Sequence, residues 1–167
     1  MTTNVNIILN NQQIEDKIRR IAYQIYESNV NEQTIILAGV ESNGYVLAKM
    51  LKKILSKISD LDCILCSVKV DKKVPTNPIE TSLKEKDYRN KSIILIDDVL
   101  NSGGTLIYGV RHFLNVPLKQ FKTAVLVNRN HKKFPVKADF KGISLSTSLN
   151  EHVQVSLEKG NFKVFLE

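Results

Sequence analysis

Hydrophobic positions fall into helical and strand periods that alternate along the chain. Ile14, Ile18, Ile21, Ala22 and Ile25 form a stripe at helical spacing, with Asn10 and Asn11 ahead of it as cap candidates. Thr34 to Ala38 is a short apolar run, which predicts a buried strand. Val46, Leu47, Met50, Leu51, Ile54, Leu55 and Ile58 give a broad-faced helix over 45–58. A strand over 63–70, a strand over 92–97, a helix over 104–114 and a strand over 122–127 follow, and the last segment, taken alone, reads as an ordinary edge hairpin with strands 152–157 and 162–166. Strands that alternate with helices predict an α/β fold with a mostly parallel central sheet flanked by helices. In such sheets ligands bind beyond the carboxyl ends of the strands, where the strand order reverses.

The segment from Ser92 to Thr105 reads SIILIDDVLNSGGT. An apolar strand delivers two adjacent carboxylates, Asp97 and Asp98, and a Ser-Gly-Gly-Thr turn then opens a helix. Glycines let the backbone approach a ligand closely, and the unpaired N–H groups of a first helical turn attract anions. Two carboxylates beside a phosphate cradle would repel the phosphate unless they bind hydroxyls or a metal ion. A sugar phosphate satisfies both halves of that arrangement. Two acids alone would suit a solvated turn; the whole pattern favours a site.

At 167 residues the chain is long enough for one domain, 1–167, with one sizeable core. Twenty-four basic residues against seventeen acidic ones give a net charge of +7, which suits polyanionic partners such as a diphosphate or RNA, or a plain lysine-rich surface. No apolar run approaches a membrane span and no leader is evident, so the expected compartment is the cytoplasm. Cys63 and Cys66 form a C-x-x-C on a predicted strand, where residues three apart face opposite sides; they read as core cysteines. His112, His131 and His152 lack metal-ligand spacing.

The acid pair and its glycine turn resemble the phosphoribosyl-pyrophosphate signature of the type I phosphoribosyltransferases. The resemblance implies that fold, with a small hood built from the C-terminal and N-terminal parts. It implies that Asp97 and Asp98, the catalytic pair, take the ribose hydroxyls, and that Asn101, Ser102, Gly103, Gly104 and Thr105 take the 5-phosphate. Mg²⁺ is the implied cofactor, held by Asp97 and Asp98 indirectly, through substrate and water. The loop Gly39-Val40-Glu41-Ser42-Asn43-Gly44 stands where the family binds diphosphate. Relatives often place Lys or Arg there, whereas this chain offers Glu41, Ser42 and Asn43; taken alone, the loop reads as a simple strand-to-helix turn. The polar stretch at about 71–91 matches the family's mobile lid, with Lys72 and Lys73 as diphosphate ligands or as part of a solvated hairpin.

Over most of its length the chain is similar to the bifunctional pyrimidine-operon regulators with uracil phosphoribosyltransferase activity. The carrying residues are Ala124-Val-Leu-Val-Asn128-Arg129-Asn130-His131, then Phe134-Pro135-Val136, Ala138-Asp139-Phe140-Lys-Gly142 and Ile143 to Ser148. The family's last segment, about 140–167 here, forms a hood over the base, which places Leu145, Ser146, Thr147 and Ser148 at the base. This chain departs by Asn128 for Asp, Ser146 for Pro and Gly104 for Arg. Asn101 cannot act as the general base that 6-oxopurine enzymes usually carry there, which speaks against a 6-oxopurine. The expected function is Mg-dependent transfer of phosphoribosyl from phosphoribosyl pyrophosphate to a nucleobase, uracil first. The alternative is a nucleotide-sensing, RNA-binding regulator of pyrimidine genes with weak or no catalysis. Expected partners are phosphoribosyl pyrophosphate, a nucleobase or nucleotide, RNA in the second case, and a second copy in a homodimer or higher homo-oligomer, with no membrane.

Overall fold

The computed structural model describes residues 5–167. Its strands are β1 (Asn6–Leu9), β2 (Thr34–Val40), β3 (Asp62–Lys69), β4 (Glu80–Thr81), β5 (Ser92–Leu100), β6 (Gln120–Arg129), β7 (Phe140–Leu145), β8 (Val153–Glu158) and β9 (Asn161–Leu166). Its helices are α1 (Asn11–Ser28), α2 (Asn43–Ile58), α3 (Glu85–Tyr88) and α4 (Gly104–Phe113). A six-stranded sheet has the order β4-β3-β2-β5-β6-β7, parallel except for the antiparallel edge strand β4. A small antiparallel sheet, β1-β9-β8, forms the hood.

Both faces of the central strands are covered, and this explains their unbroken apolar runs. Along β2, Ile35 and Leu37 pack with Ile14, Ile18, Leu47 and Leu51 of α1 and α2. The alternate residues Ile36, Ala38 and Val40 pack on the other face with Leu106 and Phe113 of α4. Cys63 and Cys66 divide the same way, one to each core, both free and buried. Burial pushes the Cys63 thiol up to about 11 and raises Cys66 as well, so neither is a ready thiolate.

Helix α1 starts with a capping box: the Asn10 side chain accepts from the Gln13 N–H at 2.9 Å, and Gln13 accepts from the Asn10 N–H at 3.0 Å. At its other end Asn29 is buried and accepts a 2.7 Å hydrogen bond from Ser92 Oγ, fixing α1 against the start of β5.

The chain leaves β2 toward β3, then returns to place β5 on the other side of β2, and proceeds outward through β6 and β7. The order therefore reverses between β2 and β5, and the crevice beyond their carboxyl ends is where this architecture binds ligands. Gly39 pairs with Ile96 in that register, so the loop after β2 lies beside the acid pair.

Two sequence boundaries shift. Of the stretch 71–91, the half after Ile79 is tied down: β4 pairs with β3, and Tyr88 of α3 is buried edge-on to Phe113 at 5.1 Å. Strand β4 has two residues and α3 a single turn, too short for a hydrophobic period to show. Only 71–79 is left as an exposed strap. At the other end, residues 140–145 are not hood: β7 pairs in parallel with β6 as the last strand of the main sheet, while β1 joins the hood.

Candidate active site

The acid pair lies in a polar cavity of about 490 Å³ at the β2/β5 switch. Asp97 is 2% exposed. Burial, then the neighbouring Asp98 charge, pushes its carboxyl up to about 8, against a smaller lowering by Lys72. The Lys72 ammonium stands 3.9 Å from Asp97 Oδ1, reaching in from the exposed strap. Asp97 Oδ1 also accepts the Asp98 N–H at 2.9 Å. Asp98 is more open. Its Oδ2 accepts from Asn43 Nδ2 at 3.0 Å, and the same amide donates to the Val155 carbonyl of the hood at 2.9 Å.

That bridge requires the first turn of α2 to sit against β5, and glycine makes it possible. A Cβ on Gly44 would stand 2.6 Å from the Ile96 carbonyl oxygen, and one on Gly39 only 2.5 Å from Tyr45 Cα. The two glycines of the Gly39–Gly44 loop thus serve close backbone packing. Of that loop only Asn43 lines the acid-pair cavity. Glu41 and Ser42, joined by a cis peptide bond, face a neighbouring cleft with Lys69, Asp71, Asn77 and Glu80.

On the opposite wall, Asn101 to Thr105 curl around the N-terminus of α4. Gly103 caps the helix in the left-handed region at φ 88°, a conformation that β-carbons disfavour. The Gly104 N–H donates to Ser102 Oγ at 3.2 Å, while the Ser102 carbonyl accepts from the Lys133 and Phe134 N–H groups at 2.8 and 3.1 Å. The loop is therefore held from behind, with its open side toward the cavity.

Arg129, His152, Val153, Gln154 and Val155 complete the lining. None of these five was singled out as a site residue from the sequence. Arg129 was visible only within a matching segment; His152 to Val155 carry no motif and are placed by the hood hairpin. Conversely, Lys73 does not line the cavity: its N–H is taken up in a turn on Asp71 Oδ1 at 2.9 Å. Leu145, Ser146, Thr147 and Ser148 do not line it either, because β7 stays in the main sheet; the three residues after its end pack around Arg129, Asn130 and His131.

Among the described residues no cluster of three or more His, Cys, Asp and Glu side chains could hold a metal ion. Two adjacent carboxylates, one buried and left with a raised affinity for protons, still suit Mg²⁺, which commonly takes one or two carboxylates and completes its octahedron with substrate oxygens and water.

A buried acid pair thus faces a glycine-capped helix start at the switch point of a parallel sheet, on an α/β scaffold. The phosphoribosyl transferase domain model matches residues 4–159, and the chain belongs to that family as a phosphoribosyltransferase. Curated relatives include the bifunctional protein PyrR of Haemophilus ducreyi, 31% identical over 160 residues that span 91% of this chain and 89% of that protein. PyrR of Streptococcus mutans is 34% identical over 146 residues, 84% of this chain and 81% of its own. The fold is similar to the hypoxanthine-guanine phosphoribosyltransferase of Bacillus anthracis, with a TM-score of 0.76 at 17% identity over 97% of this chain and 98% of that one. It is equally similar to the hypoxanthine phosphoribosyltransferase of Trypanosoma cruzi, with a TM-score of 0.77 at 15% identity over 95% of each chain. No helix among the described residues is long and apolar enough to cross a membrane.

Proposed function

We propose that the chain transfers phosphoribosyl from phosphoribosyl pyrophosphate to a nucleobase, uracil in preference, giving a nucleoside monophosphate and pyrophosphate. The observation that carries this reading is the placement of Asp97 and Asp98 across one cavity from the Asn101–Thr105 loop. The loop's N–H groups and the α4 terminus hold the 5-phosphate. The carboxylates accept the ribose hydroxyls, with Asn43 fixing the rotamer of Asp98. Lys72 supplies positive charge toward the diphosphate. Mg²⁺, held through substrate and water at Asp97 and Asp98, would neutralise the diphosphate as it leaves.

As the C1–O bond to diphosphate loosens, positive charge develops on the sugar ring and a base nitrogen attacks the opposite face. The protein is asked for positioning and electrostatic stabilisation rather than covalent chemistry. Uracil is favoured by the likeness to the pyrimidine-operon regulators and by Asn101, whose Oδ1 is already occupied by Arg129 at 3.1 Å and cannot take a purine proton. The test is pyrophosphate release with Mg²⁺ across uracil, hypoxanthine, guanine, xanthine, adenine and orotate. Release with uracil supports the reading, release with a purine alone replaces the base, and silence with all six refutes transfer.

The net charge of +7 favours a second reading, an RNA-binding regulator of pyrimidine genes that senses nucleotide in the same cavity. Affinity for RNA hairpins measured across salt concentrations tests it, since phosphate contacts release counterions. A flat salt slope counts against it.

A further inference from the structure

We infer that Arg129 is a positioning residue that couples the phosphate-holding loop to residues 144–151, which lead into the cavity-lining residues His152 to Val155, so that occupancy of one half of the cavity tightens the other. The inference rests on the sugar-phosphate reading of the site and adds the element that joins its two halves.

Arg129 ends β6 and is 7% exposed. Its Nη1 donates to Asn101 Oδ1 at 3.1 Å, at the start of the phosphate-holding loop. Nε and Nη2 donate to Thr147 Oγ1 at 3.1 and 2.7 Å, and Nη2 also reaches the Glu151 and Ser148 carbonyls at 2.7 and 3.4 Å. The flanking residues pin the same segment: Asn128 donates to Ser144 Oγ, Asn130 to Ser146 Oγ, and His131 meets the Thr147 carbonyl. Residues 144–151 are thereby clamped to residues 128–131. Of all side chains among the described residues, Arg129 alone hydrogen-bonds both that segment and the 101–105 loop.

The charge of this side chain has no protein counter-ion. Every acceptor it meets is neutral, and no ion pair among the described residues includes it. A buried cation without a partner is costly, and an anion entering the cavity that Arg129 lines relieves that cost. The planar fork matters as well as the charge, because a lysine ammonium could not reach Asn101 and Thr147 together. Drawing the guanidinium toward a bound phosphate must load its bonds to Thr147 and Glu151, and fixing the cavity-lining residues that follow, His152 to Val155, must in turn hold Asn101 in place. Such coupling is reciprocal by thermodynamic necessity.

The experiment is calorimetric titration of phosphoribosyl pyrophosphate with Mg²⁺ into the full chain, for the wild type, Thr147→Val, Arg129→Lys, the double variant and Ser144→Ala. Thr147 does not line the cavity and meets it only through Arg129. Even so, Thr147→Val is expected to weaken binding about 5-fold and Arg129→Lys about 10-fold, the scale of one charge-assisted hydrogen bond. The double variant should be no weaker than Arg129→Lys, because the two changes cut one linkage. Ser144→Ala loosens the same segment through Asn128 and should lower the melting temperature without changing affinity. Unchanged affinity in Thr147→Val, multiplying effects in the double variant, or equal weakening by Ser144→Ala would each overturn the coupling. If Arg129→Lys does not fold, the contrast between Thr147→Val and Ser144→Ala decides alone. A wild type that does not bind phosphoribosyl pyrophosphate sinks the sugar-phosphate reading and the coupling with it, whereas tight wild-type binding with no effect of Thr147→Val sinks only the coupling.

Discussion

 Replacing Gly44 by Ala adds a single methyl group, and its consequences reach the acid pair through backbone geometry alone. A Cβ at this position would stand 2.6 Å from the Ile96 carbonyl oxygen, 3.0 Å from Asp97 Cα and 3.2 Å from Asp97 Oδ1. Two of these neighbours are backbone of the central strand β5, so relief must come from the first turn of α2. Ordinary contact begins at 3.4 Å, which asks α2 to retreat by about 0.8 Å. Asn43 moves with that turn. Its 3.0 Å hydrogen bond to Asp98 Oδ2 then stretches to about 3.8 Å, outside hydrogen-bonding range.

Overpacking of this kind costs about 1–3 kcal/mol, and for a chain of this size about 2 kcal/mol lowers Tm by roughly 4–8 °C. Asp98, released from Asn43, should cost about 10- to 100-fold in kcat/KM for phosphoribosyl pyrophosphate. Gly160→Ala is the control. Its φ of 81° makes alanine unfavourable, yet an added Cβ meets nothing within 4 Å. That variant should lose about 1 kcal/mol and keep its kcat/KM. The assay pairs thermal melts with initial rates of pyrophosphate release. A Gly44→Ala protein with Tm and kcat/KM both at the wild-type level would refute the close packing of α2 on β5 as the support of the acid pair.

Lys72→Ala should raise the KM for phosphoribosyl pyrophosphate several-fold in steady-state kinetics, whereas Lys73→Ala should not, because only Lys72 reaches the cavity; equal effects would remove the distinction. Gly103→Ala forces a β-carbon into the left-handed region and to within 2.6 Å of Val136 Cγ1, so urea denaturation should show a loss of about 1–3 kcal/mol. The Asp97 carboxyl is raised from 3.8 to about 8, first by burial and then by Asp98, so the folded protein binds the extra proton. The stability it contributes is full below the unfolded value and is lost as pH rises through about 8; denaturation of the free protein should show wild type losing more than Asp97→Asn across that range, and parallel curves would contradict it.

The strands and long helices were readable because each reports on itself: β2 and β5 are apolar throughout since both faces are covered, and α1 shows its stripe because one side meets water. The acid pair and its glycine turn were readable for the same reason, being contiguous and at fixed spacing. What escaped was short or two-sided. Strand β1 has only four residues and exposes Ile7, and α3 is a single turn among charges, held by one buried side chain, Tyr88.

The part of the site that the sequence hid is the part assembled across distance. Asn43 meets Asp98 fifty-five positions away and Val155 over one hundred and twelve, so nothing local marks it as the link between acid pair and hood. The same holds for Arg129, which reaches Asn101 backward across 28 positions and Glu151 forward across 22. Each of these side chains joins elements whose proximity is created by the sheet order, with β5 inserted beside β2 and β6 beside β5. A motif can announce a ligand because the ligand's chemistry dictates adjacent residues. The supports that hold the motif answer only to topology, and their residue types follow from which donors and acceptors the fold happens to leave facing one another. In this chain a neutral amide steadies the more open carboxylate, while a buried guanidinium steadies the loop opposite. Neither support therefore puts a counter-charge on the acid pair, whose cation contact is Lys72 of the exposed strap.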